Sequence, residues 1–291
     1  MLLPKFDYIA PKTIEEACSL LAEHKEKARV MAGGTDLLPK MKHKETTPQY
    51  LIGLSAIPGL DYIEYDKGKG LRIGALATLA AVMSSPPVRE RFSLLAEAIS
   101  QMASVQVRNR GTVAGNLCNA VPSADTAPSL IVMGAKAKLV GPGKERLVAV
   151  EDLCVSPDVT CLAEGELMTE IQVPELPPGS GGAYLKLTPR RAMDLAVVGV
   201  AAMVTLADGT CKDIKIALGA VAPTPIRAKA AEDILRGKKL EDKVIEEAAK
   251  AAMGEARPIS DIRASAEYRR KMVGVLTQRA VKQAWERAKA R

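Results

Sequence analysis

Two glycine-containing segments, far apart in the chain, most strongly constrain how this sequence can fold. The first reads AGGTDL over residues 32–37, and the second reads RNRGTVAGNLC over residues 108–118. Glycine has no β-carbon, so such segments can take positive φ values and bring bare N–H groups close to an anion. Two of them suit a ligand with two phosphates that lies in a cleft between subdomains.

The first segment has a functional and an ordinary interpretation. Residues 28–31 are predicted to form a strand that leads directly into Gly33 and Gly34, and Thr35 adds a hydroxyl donor. Alternatively, the glycine pair is a plain turn between a strand and a helix, with Asp36 capping that helix. The local sequence leaves both interpretations open.

The second segment allows the same two interpretations. Gly111 and Gly115 permit tight turns, and Thr112 and Asn116 offer side-chain donors beside the backbone. Further along, Asp125 can accept hydrogen bonds from ribose hydroxyls, as carboxylates do in dinucleotide-binding folds. It can equally be an acidic residue that stabilises a helix N-terminus.

The composition is that of a globular protein and argues against nucleic acid as a partner. Apolar residues make up 47% of the chain but aromatic residues only 3%, which leaves few rings for stacking on bases. The net charge is +7, and much of the excess lies after residue 263, where eight basic residues accompany two acidic ones. This basic segment is either a solvated helix face or a docking face for an acidic partner subunit.

Targeting and metal-binding signals are missing from the sequence. No segment resembles a signal peptide, and no apolar run reaches the about 18 residues that a membrane-spanning helix requires. The sequence therefore predicts a cytoplasmic protein without a membrane span. The five cysteines form no CxxC motif and only two histidines are present, so we expect no metal site in this chain.

Hydrophobic patterns predict an α+β chain built from three units. Residues 1–56 read as strands and a helix with a capping box at Thr13, and residues 57–174 add a hairpin, further strands and a helix over 88–102. Residues 174–182 are rich in proline and glycine and are predicted to be a linker. Residues 183–291 then read as three antiparallel strands followed by three helices.

Three segments carry a resemblance to a known family. They are AGGTDLLP from residue 32, QVRNRGTVAGNLCNAVPSAD from residue 106, and YLK at 184–186 followed by RRAMDLA at 190–196. Over its whole length the chain resembles the flavin-binding medium subunit of the molybdenum hydroxylases, which include xanthine dehydrogenase and aerobic carbon monoxide dehydrogenase. That family shares its FAD-binding fold with vanillyl-alcohol oxidase and the cell-wall reductase MurB.

The resemblance implies a fold, a cofactor and partners. The fold would be a two-subdomain PCMH-type FAD-binding domain over 1–56 and 57–174, followed by a C-terminal α+β domain over 183–291. FAD would be bound non-covalently, since neither loop contains histidine. The chain would take electrons from the [2Fe–2S] clusters of a small subunit, beside a molybdopterin-binding large subunit, and pass them to a soluble acceptor such as NAD. No catalytic acid or base is expected, because the flavin performs the redox chemistry.

The resemblance also assigns the cofactor site. The first loop should line the FAD pyrophosphate, and the second should meet the phosphates or the flavin from the other side. Asp125 should hold the ribose or adenine end, and Lys186 should lie near the flavin ring, where a cation stabilises negative charge. The full set of implied contacts is Ala32, Gly33, Gly34, Thr35, Asp36, Leu37, Gly111, Thr112, Ala114, Gly115, Asn116, Asp125 and Lys186.

One position departs from the family pattern, and two other functions remain open. Ala114 stands where the family more often has glycine, so either its φ is negative or the loop is shifted, since a left-handed alanine costs about 1 kcal/mol. The alternatives are a stand-alone flavin oxidoreductase of the same fold and a basic protein-binding scaffold. We expect Gly34→Val to abolish FAD binding by filling phosphate space.

Overall fold

The computed structural model describes residues 2–190 and 192–290, and its mixture of helices and strands confirms the α+β class. The N-terminal part contains a parallel sheet in the order β1-β3-β2. Its elements are β1 (Asp7–Ile9), α1 (Ile14–His24), β2 (Ala28–Met31), α2 (Leu37–Lys42) and β3 (Tyr50–Gly53). The Thr13 hydroxyl caps α1 by accepting from the Glu16 N–H at 3.1 Å, but the Glu16 carboxylate accepts from the Lys12 N–H instead of closing the predicted capping box.

An antiparallel sheet follows, in the order β4-β5-β10-β6-β7. Its strands and the adjoining hairpin are β4 (Ile63–Asp66), β5 (Gly70–Gly74), β6 (Lys136–Gly141), β7 (Lys144–Ala149), β8 (Cys154–Ser156), β9 (Val159–Thr160) and β10 (Leu167–Val173). Short helices connect β5 to β6: α3 (Leu79–Ser84), α4 (Pro86–Arg91), α5 (Ser93–Ser100), α6 (Val105–Arg108), α7 (Val113–Cys118) and α8 (Thr126–Val132). The single helix predicted over 88–102 is wrong, because the backbone at Phe92 leaves the helical region between α4 and α5.

The C-terminal part is an antiparallel sheet in the order β11-β12-β13-β14, followed by helices. Its elements are β11 (Ser180–Leu187), β12 (Val198–Ala207), β13 (Thr210–Gly219), β14 (Ile226–Arg227), α9 (Lys229–Leu235), α10 (Asp242–Glu255) and α11 (Ala266–Lys289). The sequence predicted three of these strands and missed β14, because two residues are too few to show an alternating pattern.

The predicted linker is shorter than its composition suggested. Residues 180–182 belong to β11, because they pair with residues 203–205 of β12. Helix α11 packs directly on this strand. A β-carbon on Gly181 would lie 2.3 Å from the Ala284 carbonyl oxygen. Glycine at this position therefore permits a close contact between helix and strand and does not mark a flexible connection.

The C-terminal sheet is buried on both faces, which fixes it against the preceding part of the chain. Val200 and Val204 of β12 lie in the core beneath α10 and α11, whereas Ala201 and Met203 lie in the core that includes α5 and α8. Burial on both faces explains the uninterrupted apolar run of β12. The first two sheets lie within the predicted segments 1–56 and 57–174, whereas the C-terminal sheet begins at Ser180, three residues before the predicted segment 183–291. The boundaries between the segments remain predictions.

Part of the basic C-terminal segment is used within the chain. Arg287 on α11 bonds to the Glu97 carboxylate at 2.9 Å and to the Gly182 carbonyl oxygen at 2.6 Å. Arg269 is only 3% exposed and donates to the Val197 carbonyl oxygen at 2.8 Å. These two arginines therefore hold α11 in place. They do not belong to a solvated helix face, which was one of the two interpretations of this segment.

Candidate cofactor cleft

The two glycine segments contact each other directly, although they lie far apart in the sequence. A β-carbon on Gly33 would lie only 2.0 Å from the Arg110 carbonyl oxygen, in the turn that follows α6. A β-carbon on Gly111 would lie 3.1 Å from the Thr35 hydroxyl. Position 33 consequently accepts glycine alone without movement of the backbone. The two segments are therefore packed against each other.

The first segment leaves backbone donors unused. No described residue accepts a hydrogen bond from the N–H groups of Gly34, Thr35 or Asp36. Gly34 takes a φ of +71°, and Asp36 precedes α2 without capping it through its side chain. The capping interpretation of Asp36 is therefore wrong, and the turn presents consecutive N–H groups as an anion site requires.

The second segment uses its side chains mainly to build α7. The Thr112 hydroxyl accepts a hydrogen bond from the Gly115 N–H at 2.9 Å. Ala114 is buried inside α7 and has a negative φ, so the departure from the family pattern causes no strain. A β-carbon on Gly115 would have the Thr112 hydroxyl, at 3.0 Å, as its one neighbour within 4 Å among the described residues. Gly115 therefore faces space that the chain itself does not fill.

Hydrogen bonds connect these loops to each other and to the start of α8. Lys40 on α2, the helix that follows the first loop, donates to the Asn119 side chain at 2.9 Å, just after the end of α7. The Thr126 hydroxyl donates to the Asn116 side-chain oxygen at 2.6 Å. Since Asp125 immediately precedes Thr126, the second loop leads directly to this carboxylate.

Asp125, Tyr184 and Lys186 form a buried polar group where the C-terminal sheet meets α8. The Tyr184 hydroxyl donates to one carboxylate oxygen of Asp125 at 2.6 Å, and the Lys186 ammonium donates to the other at 2.8 Å. Lys186 also donates to the Gln101 carbonyl oxygen at 3.2 Å. Burial raises the pKa of Asp125, while the charge and hydrogen bond of Lys186 and the hydrogen bond of Tyr184 act against that rise.

This arrangement brings together two residues to which the sequence gave different roles. The sequence placed Asp125 at the ribose or adenine end of FAD and Lys186 near the flavin ring, and in the structure the two side chains are in contact at 2.8 Å. Sequence reasoning gave Tyr184 no role. A signal was available, because residues two apart in a strand point to the same face.

A cavity of about 480 Å³ opens beside Lys186. Its wall includes Gln101, residues 186–190 and residues 192–194, so it lies between the end of α5 and the end of β11. Arg190 and Asp194 form an ion pair at its rim, with a distance of 3.1 Å. A cavity of this size is typical of small-molecule and cofactor sites.

The residues present fit FAD. Unused N–H groups suit the diphosphate, the space at Gly115 leaves room for it, and a cation borders a ring-sized cavity. Within residues 2–190 and 192–290, no group of three side chains is arranged to hold a metal ion. None of the helices described is both long and apolar enough to cross a membrane.

Comparison with protein families and curated proteins supports this fit. Residues 4–176 match the family described as FAD binding domain in molybdopterin dehydrogenase, and residues 183–284 match the CO dehydrogenase flavoprotein C-terminal domain. The carbon monoxide dehydrogenase medium chain of Hydrogenophaga pseudoflava is 38% identical over 287 residues, which cover 99% of each chain. The nicotine 6-hydroxylase medium subunit of Paenarthrobacter nicotinovorans is 33% identical over 287 residues, which cover 99% of this chain and 100% of that protein.

Solved structures show the same similarity. A chain of carbon monoxide dehydrogenase from Hydrogenophaga pseudoflava superposes with a TM-score of 0.96 and 39% identity, over 99% of both chains. Quinoline 2-oxidoreductase from Pseudomonas putida gives a TM-score of 0.92 and 30% identity, again over 99% of both chains. The chain belongs to the FAD-binding subunits of the molybdenum hydroxylase family, and it is an oxidoreductase subunit with FAD as its cofactor.

Proposed function

We propose that this chain is the electron-transfer subunit of a hetero-oligomeric molybdenum hydroxylase. A molybdopterin-binding large subunit oxidises the substrate, and the [2Fe–2S] clusters of a small subunit deliver the electrons to this chain. The chain passes them to a soluble acceptor, with NAD as one candidate. The names of the relatives as medium chains or medium subunits support an assembly of this kind, and a cytoplasmic location is part of the proposal.

The contact between Gly33 and Arg110 carries the proposal, because it brings the two loops together, as a shared anion site requires. The N–H groups of Gly34, Thr35 and Asp36 would donate to the diphosphate, together with the Thr35 hydroxyl. Ala32 and Leu37 would shape this wall together with Gly111, which packs against Thr35, and the following residues of the second loop would supply the opposite wall. The residues that form the opposite wall are Thr112, Ala114, Gly115 and Asn116.

At the other end of the site, Lys186 would place a positive charge against the flavin ring. FAD supplies the one- and two-electron chemistry, and the protein binds and orients it. Asp125 would hold the Lys186 ammonium in position by accepting a hydrogen bond from it. Tyr184 would in turn hold Asp125 by donating to its other carboxylate oxygen. A fixed cation in a site shielded from water stabilises negative charge more strongly than a cation in solvent.

Ligand comparison tests the assignment of the two loops. The purified chain is titrated with FAD, FMN and riboflavin, and binding is followed through the flavin absorbance and fluorescence. We expect one FAD per chain, with riboflavin binding at least about 100-fold more weakly because it lacks both phosphates. Equal affinities for FAD and riboflavin would contradict a diphosphate site between the loops.

Rapid mixing tests the electron-transfer role. The FAD-loaded chain is mixed anaerobically with the reduced iron–sulfur subunit of its own complex, and the flavin absorbance is followed. We expect bleaching of the flavin band, and its recovery when the correct acceptor is added. Candidate acceptors are NAD, a quinone, a ferredoxin and oxygen. A flavin that stays oxidised in the presence of reduced partner would contradict the proposal, and turnover of a substrate such as an alcohol by the isolated chain would favour a stand-alone enzyme.

A further inference from the structure

The side chain of Lys40 connects three segments that are far apart in the sequence. Its ammonium donates to the Asn119 side-chain oxygen at 2.9 Å and to the Asp158 carboxylate at 2.7 Å. Lys40 lies on α2, Asn119 follows α7, and Asp158 lies in the turn between β8 and β9. The two partners are 79 and 118 residues away from Lys40 along the chain. We refer to these two hydrogen bonds as the Lys40 bridge.

Backbone hydrogen bonds extend the Lys40 bridge to both loops of the cofactor cleft. The Lys40 N–H donates to the Asp36 carbonyl oxygen at 3.1 Å, on the side of the first loop. The Asn119 N–H donates to the Gly115 carbonyl oxygen at 2.9 Å, on the side of the second. Asp36 and Gly115 are proposed to face the diphosphate from opposite walls. The bridge therefore links the two walls at a place distinct from the contact between Gly33 and Arg110.

The acceptor end of the bridge is held by the backbone. The Asp158 N–H donates to the Ala120 carbonyl oxygen at 3.0 Å, which fixes the turn between β8 and β9 against the end of α7. Asp158 and Ala120 both take positive φ values, of 61° and 50°. Such conformations are unfavourable for residues with a β-carbon and persist where surrounding contacts impose them. The Asp158 carboxylate is thus presented to Lys40 from a defined position.

The charge of Lys40 also acts on the carboxylate of the first loop. Burial raises the pKa of Asp36, and the positive charge of Lys40 acts against that rise. An ionised Asp36 beside an anion site would repel a diphosphate, and a nearby cation reduces this repulsion. Loss of the Lys40 charge should therefore disfavour an anionic ligand in addition to breaking the bridge.

We infer that Lys40 is a positioning residue for FAD, whose bridge holds the two walls of the cleft at the separation that the diphosphate requires and slows release of the cofactor. The inference rests on the proposed diphosphate site. Lys40 acts through Asp36 and Asn119, and its side chain is 31% exposed. Gly33 joins the loops by backbone packing, whereas the Lys40 bridge depends on one side chain. The bridge can therefore be removed while the fold is kept.

Release of FAD from the loaded chain tests this inference. Wild-type chain and the Lys40→Met variant are diluted into flavin-free buffer, and the recovery of flavin fluorescence gives the dissociation rate. We expect this rate to rise about fivefold to tenfold in Lys40→Met, since two hydrogen bonds of a charged group are lost. Raising the salt concentration should accelerate release from the wild-type chain and have a smaller effect on the variant, because salt screens this partly exposed ion pair.

Two further variants separate positioning from general stability. Lys40→Arg keeps the positive charge and should keep the dissociation rate within about threefold of wild type. Asp158→Asn removes one charged partner and should accelerate release less than Lys40→Met does. The double variant Lys40→Met with Asp158→Asn should release FAD no faster than Lys40→Met alone, since both changes remove the same interaction. Asp158→Asn also replaces Lys40→Met as the test if the latter fails to fold.

Lys138→Met is the matched control. Lys138 on β6 pairs with Glu145 on β7 at 2.7 Å, and these side chains are 31% and 65% exposed. The pair of Lys40 and Asp158 has the same distance and exposures of 31% and 62%. Both lysine variants should therefore lose a similarly small amount of stability in urea unfolding, and Lys138→Met should leave the FAD dissociation rate unchanged.

The outcomes distinguish this inference from the site on which it depends. A wild-type dissociation rate in folded Lys40→Met overturns the positioning role and leaves the diphosphate site intact. An equal acceleration in Lys138→Met also overturns it, because the effect then follows stability and not the bridge. Equal affinities of the wild-type chain for FAD and riboflavin are visible before any substitution and remove the diphosphate site together with this inference.

Discussion

The cofactor cleft combines a closed part, in which the chain satisfies its own polar groups, with an open part, in which it does not. In the closed part Gly33 packs against the Arg110 carbonyl, and Asp125 accepts from Tyr184 and Lys186. In the open part the N–H groups of residues 34–36 find no acceptor among the described residues, and a β-carbon on Gly115 would have the Thr112 hydroxyl as its one close neighbour there.

The contrast shows that glycine has a different structural role in each of the two loops. At Gly33 the backbone of Arg110 forbids a side chain, whereas at Gly115 a β-carbon would meet only the Thr112 hydroxyl among the described residues, at 3.0 Å. Substitutions in the closed part should therefore lower the free energy of unfolding. Substitutions in the open part should lower the affinity for FAD while leaving the folded protein nearly as stable.

Removal of the buried cation should cause the largest loss of stability. Lys186→Met leaves the Asp125 carboxylate buried without its cation, and breaking such a pair typically costs about 3–5 kcal/mol. The pKa of Asp125, already raised by burial, should rise further in the variant. The folded state then retains a proton that the unfolded state releases, so the loss should grow as the pH rises above about 4.

Urea unfolding at about pH 5 and about pH 8 measures this effect. The double variant Asp125→Asn with Lys186→Met carries neither charge and should recover part of the stability at the higher pH, since the costly unpaired carboxylate is gone. A loss of the same size at both pH values would show that Asp125 does not depend on Lys186.

Gly33→Val tests the contact between the loops and should cost about 3 kcal/mol or more, because the valine β-carbon would overlap the Arg110 carbonyl and force the loops apart. FAD binding should be lost with it. Gly254→Val, in α10, is the control, because a β-carbon there meets nothing within 4 Å. Urea unfolding and FAD titration are compared for the two variants. Normal FAD affinity of Gly33→Val would contradict a shared site.

The sequence predicted the α+β fold and the pairing of the loops better than it predicted the side-chain partnerships. The glycine segments were recognisable because glycines beside hydroxyl and amide side chains are a local feature of each segment. The bond between Lys186 and Asp125 joins residues 61 apart, and each residue alone looks like a ligand contact. Gly181 was misassigned to a linker, because composition does not distinguish a flexible glycine from one that admits a packed helix.

Gly34→Ala should have an intermediate effect on stability and on FAD affinity, and the structure gives a different reason for it from the one that the sequence suggested. A β-carbon on Gly34 would meet the Leu38 and Met31 side chains at 3.3 Å, so a side chain there points into the chain and not into phosphate space. The positive φ of this residue should nevertheless cost alanine about 1–2 kcal/mol. A moderate loss of FAD affinity should follow from the displaced N–H groups. Gly34→Val is still expected to abolish FAD binding, but because it displaces these N–H groups and not because its side chain fills phosphate space.

Gly68→Ala provides the control for Gly34→Ala. Gly68 also has a positive φ, of 86°, and a β-carbon on it would touch nothing within 4 Å. Both variants should lose stability by a similar amount in thermal unfolding, and only Gly34→Ala should lose FAD affinity. Equal FAD affinities in the two variants would place the anion site outside the first loop.

Gly115→Ala should change stability least and test the open part most directly. Alanine in a helix is favoured over glycine by about 0.5–1 kcal/mol, and the shift of the Thr112 hydroxyl at 3.0 Å offsets part of this gain. The free energy of unfolding should therefore stay within about 1 kcal/mol of wild type, while FAD affinity falls by about tenfold or more because a methyl group occupies the diphosphate space. Gly254→Ala, at another helical glycine with open surroundings, should leave FAD affinity unchanged. Wild-type FAD affinity in a stable Gly115→Ala protein would mean that the space beside α7 does not belong to the cofactor, and that the diphosphate depends on the first loop alone.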